Sequence, residues 1–499
     1  MQSRTTPRDT DRRPARTEIV HLGLGSFHRA HQAVYTARAR ELVGGDWGIA
    51  GVASGSSRVV DAMRAQDLLY TVAQLSPEGM ELSVPAVHTD AFVAGADPAR
   101  LVAAVADPAV RVVTLTVTEA GYTFDPATGA LDTSGDIALD LAGGLPRTVI
   151  GRLARGLQCR ARTGDPVTIL SCDNLASNGA LTERLVREFL AALPGGEGGE
   201  TLAFLDAAVT FPNSMVDRIV PATTPALRRR VSAALGRRDD VPVPAEPFSM
   251  WVMEDRFAAG RPAWDAAGAI MSDQVDRYET VKLRLLNGSH SLIAYLGGLD
   301  GRQSIPSAWQ RPFIRDAVLS LIRDDYLPTL HLPDDFDGDE YVADLTRRWA
   351  NSALGDKVAR VGSSGSTKLV QRVPEPALQL LAAGRMPHQL ALLLAAWICA
   401  TSAVPGVDAG PVCAEMDEPA RDRMAEAARG ARSPEEHARA VLRAGLFPAE
   451  LAEHDAFAGR VGELVGIAAR SGVRAAAADA LAASRGASPL AGTIDRSDA

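Results

Sequence analysis

Short apolar strands alternating with helical periods, a glycine turn directly after the first strand, and a change to helical texture alone beyond Tyr278 predict an α/β chain. The expected architecture is a Rossmann-like N-terminal domain, residues 1–277, followed by a mostly α-helical domain, residues 278–499. A chain of this size buries large cores without disulfides or a structural metal.

The first strand is read at Glu18–Gly23, running straight into the turn. Three more follow at Trp47–Val52, Arg111–Val117 and Pro166–Ser171, the third rich in β-branched residues. Helical periods lie between them, as at Ala33–Leu42 and Pro98–Val105. The second of these has Asp97 at the N-cap position and Pro98 at the first helical position. Beyond Tyr278, Ala- and Leu-rich helical stretches cover Thr280–Gly297, Ala317–Tyr326, Ala377–Ala403 and Val473–Ser484. Pro, Gly and acidic residues mark loops at Leu193–Gly199, Val241–Pro247 and Pro333–Gly338.

Hydrophobic residues make up 46% and charged residues 23%, with a formal net charge of -9. That balance is globular and argues against a nucleic-acid or anionic-membrane partner. The four cysteines, Cys159, Cys172, Cys399 and Cys413, form no C-x-x-C pair and no zinc spacing, so no metal is expected. They read as buried thiols of a reducing compartment, hence a cytoplasmic protein. The first sixteen residues, rich in Arg, Thr, Asp and Pro, read as a disordered leader and not a secretory signal. The last dozen are expected to fray. The longest apolar run, Gln389–Ala400, is too short to span a bilayer and reads as a buried helix. Nothing in the sequence fixes an oligomeric state, and a monomer is compatible with it.

Gly23-Leu-Gly25 after a strand and before a helix is the setting of a dinucleotide turn. Gly23 permits the tight turn, and Gly25 lets the backbone approach a pyrophosphate at a helix N-terminus. Ser26 and Phe27 complete the expected cofactor-binding turn, and His28 stands where the third glycine of the fingerprint would be. The ribose-binding carboxylate expected after the second strand is missing. Ser54, Ser56, Ser57 and Arg58 occupy that loop and could tolerate or bind a 2′-phosphate, so the choice between NAD and NADP is left open by these residues.

The most informative segment is Tyr278–His290. In an α-helix Asn287 stands roughly 140°, and His290 roughly 80°, around from Lys282, so all three can border one concave site. Polar groups in so apolar a helix need partners or a function. Oxidising a carbinol needs a base for the hydroxyl proton, a role that suits a desolvated lysine. A carboxamide and an imidazole can hold the oxygen. Tyr278 and Lys282 also form a Y-x-x-x-K pair, as in short-chain dehydrogenases, but this chain is longer and lacks their glycine pattern.

Six segments in order, 19–31, 116–122, 171–179, 211–218, 246–256 and 282–290, resemble the mannitol dehydrogenase family, the polyol-specific long-chain dehydrogenases. Fructuronate and tagaturonate reductases belong to the same family. The resemblance implies that Lys282 is the general base and that Asn287 and Asn178 stabilise the oxyanion. It implies that His290 orients the reacting oxygen and Glu119 passes the proton to solvent. Asn174 is expected nearer the nicotinamide. Asp217, Arg360 and Lys368 fall where the family places substrate-binding residues. The implied reaction is metal-independent: an NAD-linked interconversion of a polyol and its ketose, most simply D-mannitol and D-fructose. Substrate is expected between the two domains. A hexuronate reductase or a D-arabinitol dehydrogenase is the alternative. A non-catalytic nucleotide sensor is the reading from a different class, opposed by the presence of Lys282, Asn178 and Asn287 together.

Overall fold

The structure, a computed structural model, describes residues 13–125 and 128–487. The predicted frayed tail and most of the predicted leader lie outside them. Arg13 to Arg16 are described and tied down: Arg13 donates to Asp67, and the Ala15 amide to Asp46. The chain divides between Glu279 and Thr280 into two compact units.

The strands of the first unit are β1 (Thr17–Leu22), β2 (Gly48–Ala53), β3 (Val72–Ser76), β4 (Gly79–Ser83), β5 (His88–Val93), β6 (Val112–Leu115), β7 (Val167–Ser171), β8 (Val209–Thr210), β9 (Ser214–Asp217), β10 (Val243–Ala245), β11 (Met250–Met253) and β12 (Ile270–Met271). Six of them form one sheet in the order β5-β2-β1-β6-β7-β8, parallel throughout. This is the doubly wound arrangement the alternation predicts. Both faces are covered. Val20 and Leu22 of β1 join one apolar cluster with Leu153 and Phe189, while Ile19 joins another with Trp251 and Trp264. Strand order reverses between β1 and β6, so the carboxyl ends of these strands open onto the topological switch point, where ligands bind in such sheets.

The helix predicted from Pro98 runs Pro98–Ala106, and the Asp97 carboxylate accepts from the Arg100 amide as its cap. The predicted loop at Val241–Pro247 is corrected: it contains β10, paired in parallel with β3. Pro244 is tolerated because β10 is an edge strand, and a proline needs only one side free of ladder bonds. A third small sheet, β12-β11-β9, sets Asp217 opposite Met250.

In the second unit the described residues form helices and turns, with one isolated bridge, Ser304 to Lys357. The apolar run at Gln389–Ala400 lies in helix His388–Thr401, buried along its length as predicted. Among the described residues no helix is long and apolar enough to cross a membrane. Of the four thiols, Cys172, Cys399 and Cys413 are buried and Cys159 is half-buried, and none is in a disulfide.

Candidate active site

The glycine turn leaves β1 at the switch point. Gly23 has φ +105°, and a Cβ there would stand 2.0 Å from the Thr116 carbonyl oxygen, so only glycine fits. Its amide and that of Leu24 both donate to the Val52 carbonyl, which pins the turn to β2. Gly25 is different. It is exposed, its φ is -101°, and an added Cβ would meet only the Gly23 carbonyl, at 3.6 Å. Among the described residues nothing requires glycine at this position, and a ligand backbone approaching the turn would. The following helix, Ser26–Ala30, opens with first-turn amides that have no intrahelical acceptor. These residues fit a dinucleotide pyrophosphate. The Phe27 ring instead packs on His31, 5.0 Å between centroids. Ser54 to Arg58, beyond β2, are exposed, and this loop contains no carboxylate.

His28, in place of the third glycine, is fully buried. Its ring stacks on His21 at 3.4 Å between centroids, and its Nε2 lies 3.2 Å from Nε2 of His88. His21 spans Thr114 and Thr116 through its two nitrogens. Burial pushes His21 and His88 down to about 3, and His28 well below the ordinary histidine value. Three neutral imidazoles therefore form the floor under the turn.

The motif around Asn178 interlocks with the segment 211–218. Asn178 is fully buried; its Nδ2 donates to the Asp173 carbonyl (3.0 Å) and the Ser214 carbonyl (2.7 Å), and its Oδ1 accepts from the Ser214 amide (3.0 Å). Both amide hydrogens are committed to backbone. To reach a reacting oxygen, Asn178 must exchange one of these acceptors. Asn213, which the sequence reading did not single out, caps helix Asn178–Ala191 from a distance, its Oδ1 accepting from Gly179 and Ala180. Gly179 is required because a Cβ would lie 2.4 Å from the Pro212 carbonyl oxygen. No local sequence pattern announces a cap supplied from more than thirty residues away.

Asp173 was also unpredicted. Its carboxylate accepts from the Val117 amide (3.0 Å), the Thr118 amide (2.8 Å) and the Tyr122 hydroxyl (2.8 Å). These bonds hold Thr118 at φ +64° and set Glu119, exposed, at the start of the turn Glu119–Gly121. Asn174 is likewise exposed, just beyond β7. The turn residues, Glu119 and Asn174 thus gather at the carboxyl ends of β1, β6 and β7. Asp217 is buried at the end of β9, and the adjacent Arg218 donates to the Glu246 and Ala30 carbonyls.

In the second unit, Lys282–Gly288 is π-helical and runs into helix Ser289–Leu299. This changes the predicted angles. Bonds from residue i to i+5 put residues five apart in the stacked position that i and i+4 hold in an α-helix. Position 287 therefore follows position 282 on the same face of the helix instead of standing roughly 140° away. Lys282 is buried, and the Asn287 carboxamide makes no hydrogen bond to a described residue. The π turn packs on a second one, Leu321–Tyr326, and on helix Gly365–Arg372. Gly288 admits the Tyr326 ring, whose hydroxyl oxygen would lie 2.1 Å from a Cβ there. Arg372 donates to the Asn287 carbonyl (2.9 Å) and to Ser291 Oγ (2.6 Å), bracketing His290. Arg284 is buried, bonded to Thr329 and paired with Glu375.

Arg360 is exposed and pairs with Asp356, which in turn faces His290. Lys368 donates to the Val361 (3.2 Å) and Ser363 (2.6 Å) carbonyls. Burial, then repulsion from Arg372 and Arg360, brings its amine down to about 8.

Residues 17–266 match the mannitol dehydrogenase Rossmann domain, and residues 274–465 the mannitol dehydrogenase C-terminal domain. The chain belongs to the mannitol dehydrogenase family. Among its relatives, the D-mannonate oxidoreductase of Escherichia coli is 38% identical over 78% of this chain and 80% of its own length. The mannitol 2-dehydrogenase of Cereibacter sphaeroides is 38% identical over 78% and 81%. A solved structure, the Pseudomonas fluorescens mannitol 2-dehydrogenase in ternary complex with NAD and D-mannitol, is similar with a TM-score of 0.80 and 32% identity, covering 94% of this chain and 96% of that one. Family membership makes the chain an oxidoreductase of the polyol class.

Proposed function

We propose that this chain is a cytoplasmic NAD-linked dehydrogenase that interconverts D-mannitol and D-fructose. The observation that supports the reading is the π turn Lys282–Gly288, whose i to i+5 bonding brings positions 282 and 287 onto one face, with His290 in the helix that follows.

In the oxidising direction the carbinol C–H bond breaks with its electron pair, and Lys282 takes the hydroxyl proton. Asn287 donates to the oxygen as it becomes a carbonyl, and Asn178 joins it by exchanging one backbone acceptor. Glu119, exposed, hands the proton to solvent. Asp217 lines the site. Gly23, Gly25, Ser26 and Asn174, with the backbone of Phe27, would hold a dinucleotide, which would supply the hydride acceptor. The Pseudomonas relative carries NAD, which supports NAD here. The carboxylate-free loop Ser54–Arg58 supports tolerance of a 2′-phosphate.

A hexuronate substrate needs a cation free to meet its carboxylate. Arg284, Arg360 and Lys368 all have partners within the protein, which supports the uncharged polyol. The test is turnover of D-mannitol, D-arabinitol, fructuronate and tagaturonate, each with both cofactors. Mannitol as the best substrate supports the proposal. Turnover confined to a hexuronate overturns it.

A further inference from the structure

Two complementary groups in the second unit face each other without closing. His290 Nε2 lies 3.6 Å from Asp356 Oδ2, and both atoms are buried with no other hydrogen-bond partner. That is a few tenths of an ångström beyond a hydrogen bond. Asp356 is fixed from three directions. Its Oδ1 takes the guanidinium of Arg360, its side chain is buried, and its carbonyl accepts from the Ile305 amide. The oxygen turned to His290 is therefore held in place, and because it pairs with Arg360 it belongs to a carboxylate.

The imidazole is neutral at ordinary pH: burial lowers it to about 4, against the pull of Asp356 and with the repulsion of Arg360, Arg348 and Arg372. A neutral imidazole has one donor and one acceptor nitrogen. A carboxylate oxygen can only accept. The tautomer with the proton on Nε2 satisfies both buried atoms, whereas the other sets two lone pairs against each other in a dry site. We propose that Asp356 is the positioning residue that locks His290 as the Nε2–H tautomer, with Arg360 acting as the clamp on Asp356. Nδ1 then becomes the nitrogen available to a ligand, and it accepts. It bonds to a hydroxyl hydrogen and repels a carboxylate. This deepens the polyol reading and rests on His290 belonging to the site.

The test has two arms. Nitrogen-15 spectra of the full chain, with His290 assigned by its loss in H290Q, report the tautomer directly and need no turnover. The Nε2–H form is expected, and an Nδ1–H form overturns the proposal. The second arm is Asp356→Asn, a near-isosteric change. Arg360 keeps the amide oxygen, so the NH₂ group faces Nε2 and the proton must move to Nδ1. The expected result is that tautomer switch with kcat/KM for the polyol lowered about 10- to 100-fold and cofactor affinity unchanged. Asp356→Asn with wild-type kcat/KM, beside an inactive H290Q, overturns it. If H290Q itself turns over polyol normally, it is the site reading that fails, and the tautomer measurement still stands.

Discussion

Mild acid should destabilise the first unit through three buried imidazoles. His21, His28 and His88 are neutral in the fold, with His21 and His88 held at about 3. In the unfolded chain each titrates near 6.5. The unfolded state therefore binds more protons below that value, and stability present above it is lost as pH falls. From pH 6.5 to 5.5 the loss is about 1 kcal/mol for each group whose folded value lies far below the window, or about 3 kcal/mol for the three. The figure needs only the unfolded value, because the folded rings stay neutral throughout. Screening does not reduce it, since all three are buried. The assay is urea unfolding followed by intrinsic fluorescence at pH 7.5, 6.5 and 5.5, with His28→Gln and His88→Gln alongside. Each substitution should lower absolute stability yet remove about a third of the pH slope. A wild-type midpoint that does not move over this window, or variants with the full slope, would refute the reasoning.

Asn178→Ala strips two carbonyls and the Ser214 amide of their partner. It should cost about 2–4 kcal/mol in unfolding experiments, in addition to any loss of turnover. Gly23→Ala should abolish dinucleotide binding in a fluorescence titration, because its Cβ has no room beside Thr116. Arg372→Met removes one of the two side-chain donors to the Asn287 carbonyl, Ser291 Oγ being the other, and loosens the π turn. It should lower kcat about tenfold while cofactor affinity stays at wild type, with Arg372→Lys recovering part of the loss.

The sheet was legible because β1, β2, β6 and β7 are buried on both faces and read as apolar runs. β5 escaped: it is an edge strand whose sequence, HTDAFV, mixes polar and apolar residues. β10 escaped because Pro244 reads as a breaker until the strand is known to be an edge. The site residues were legible as types and not as geometry. A stretch such as Lys282–Gly288 has ordinary helical composition, and the groups that meet its π turn come from far along the chain: Tyr326 against Gly288, and Arg372 on the Asn287 carbonyl. The pairing of Arg360 with Asp356, and the approach of Asp356 to His290, were not legible in the sequence because only the fold brings residue 290 near residue 356. Asn178 drew attention as an amide in a motif. Its three backbone bonds depend on Ser214, which only the fold brings near.

The decisive measurement is single-turnover hydride transfer by Lys282→Ala, with dinucleotide affinity measured on the same sample. If the Lys282 amine is the base, transfer near neutral pH falls by at least about 100-fold while the dinucleotide binds as before. Transfer at the native rate in a variant with no amine at position 282 would contradict the mechanism.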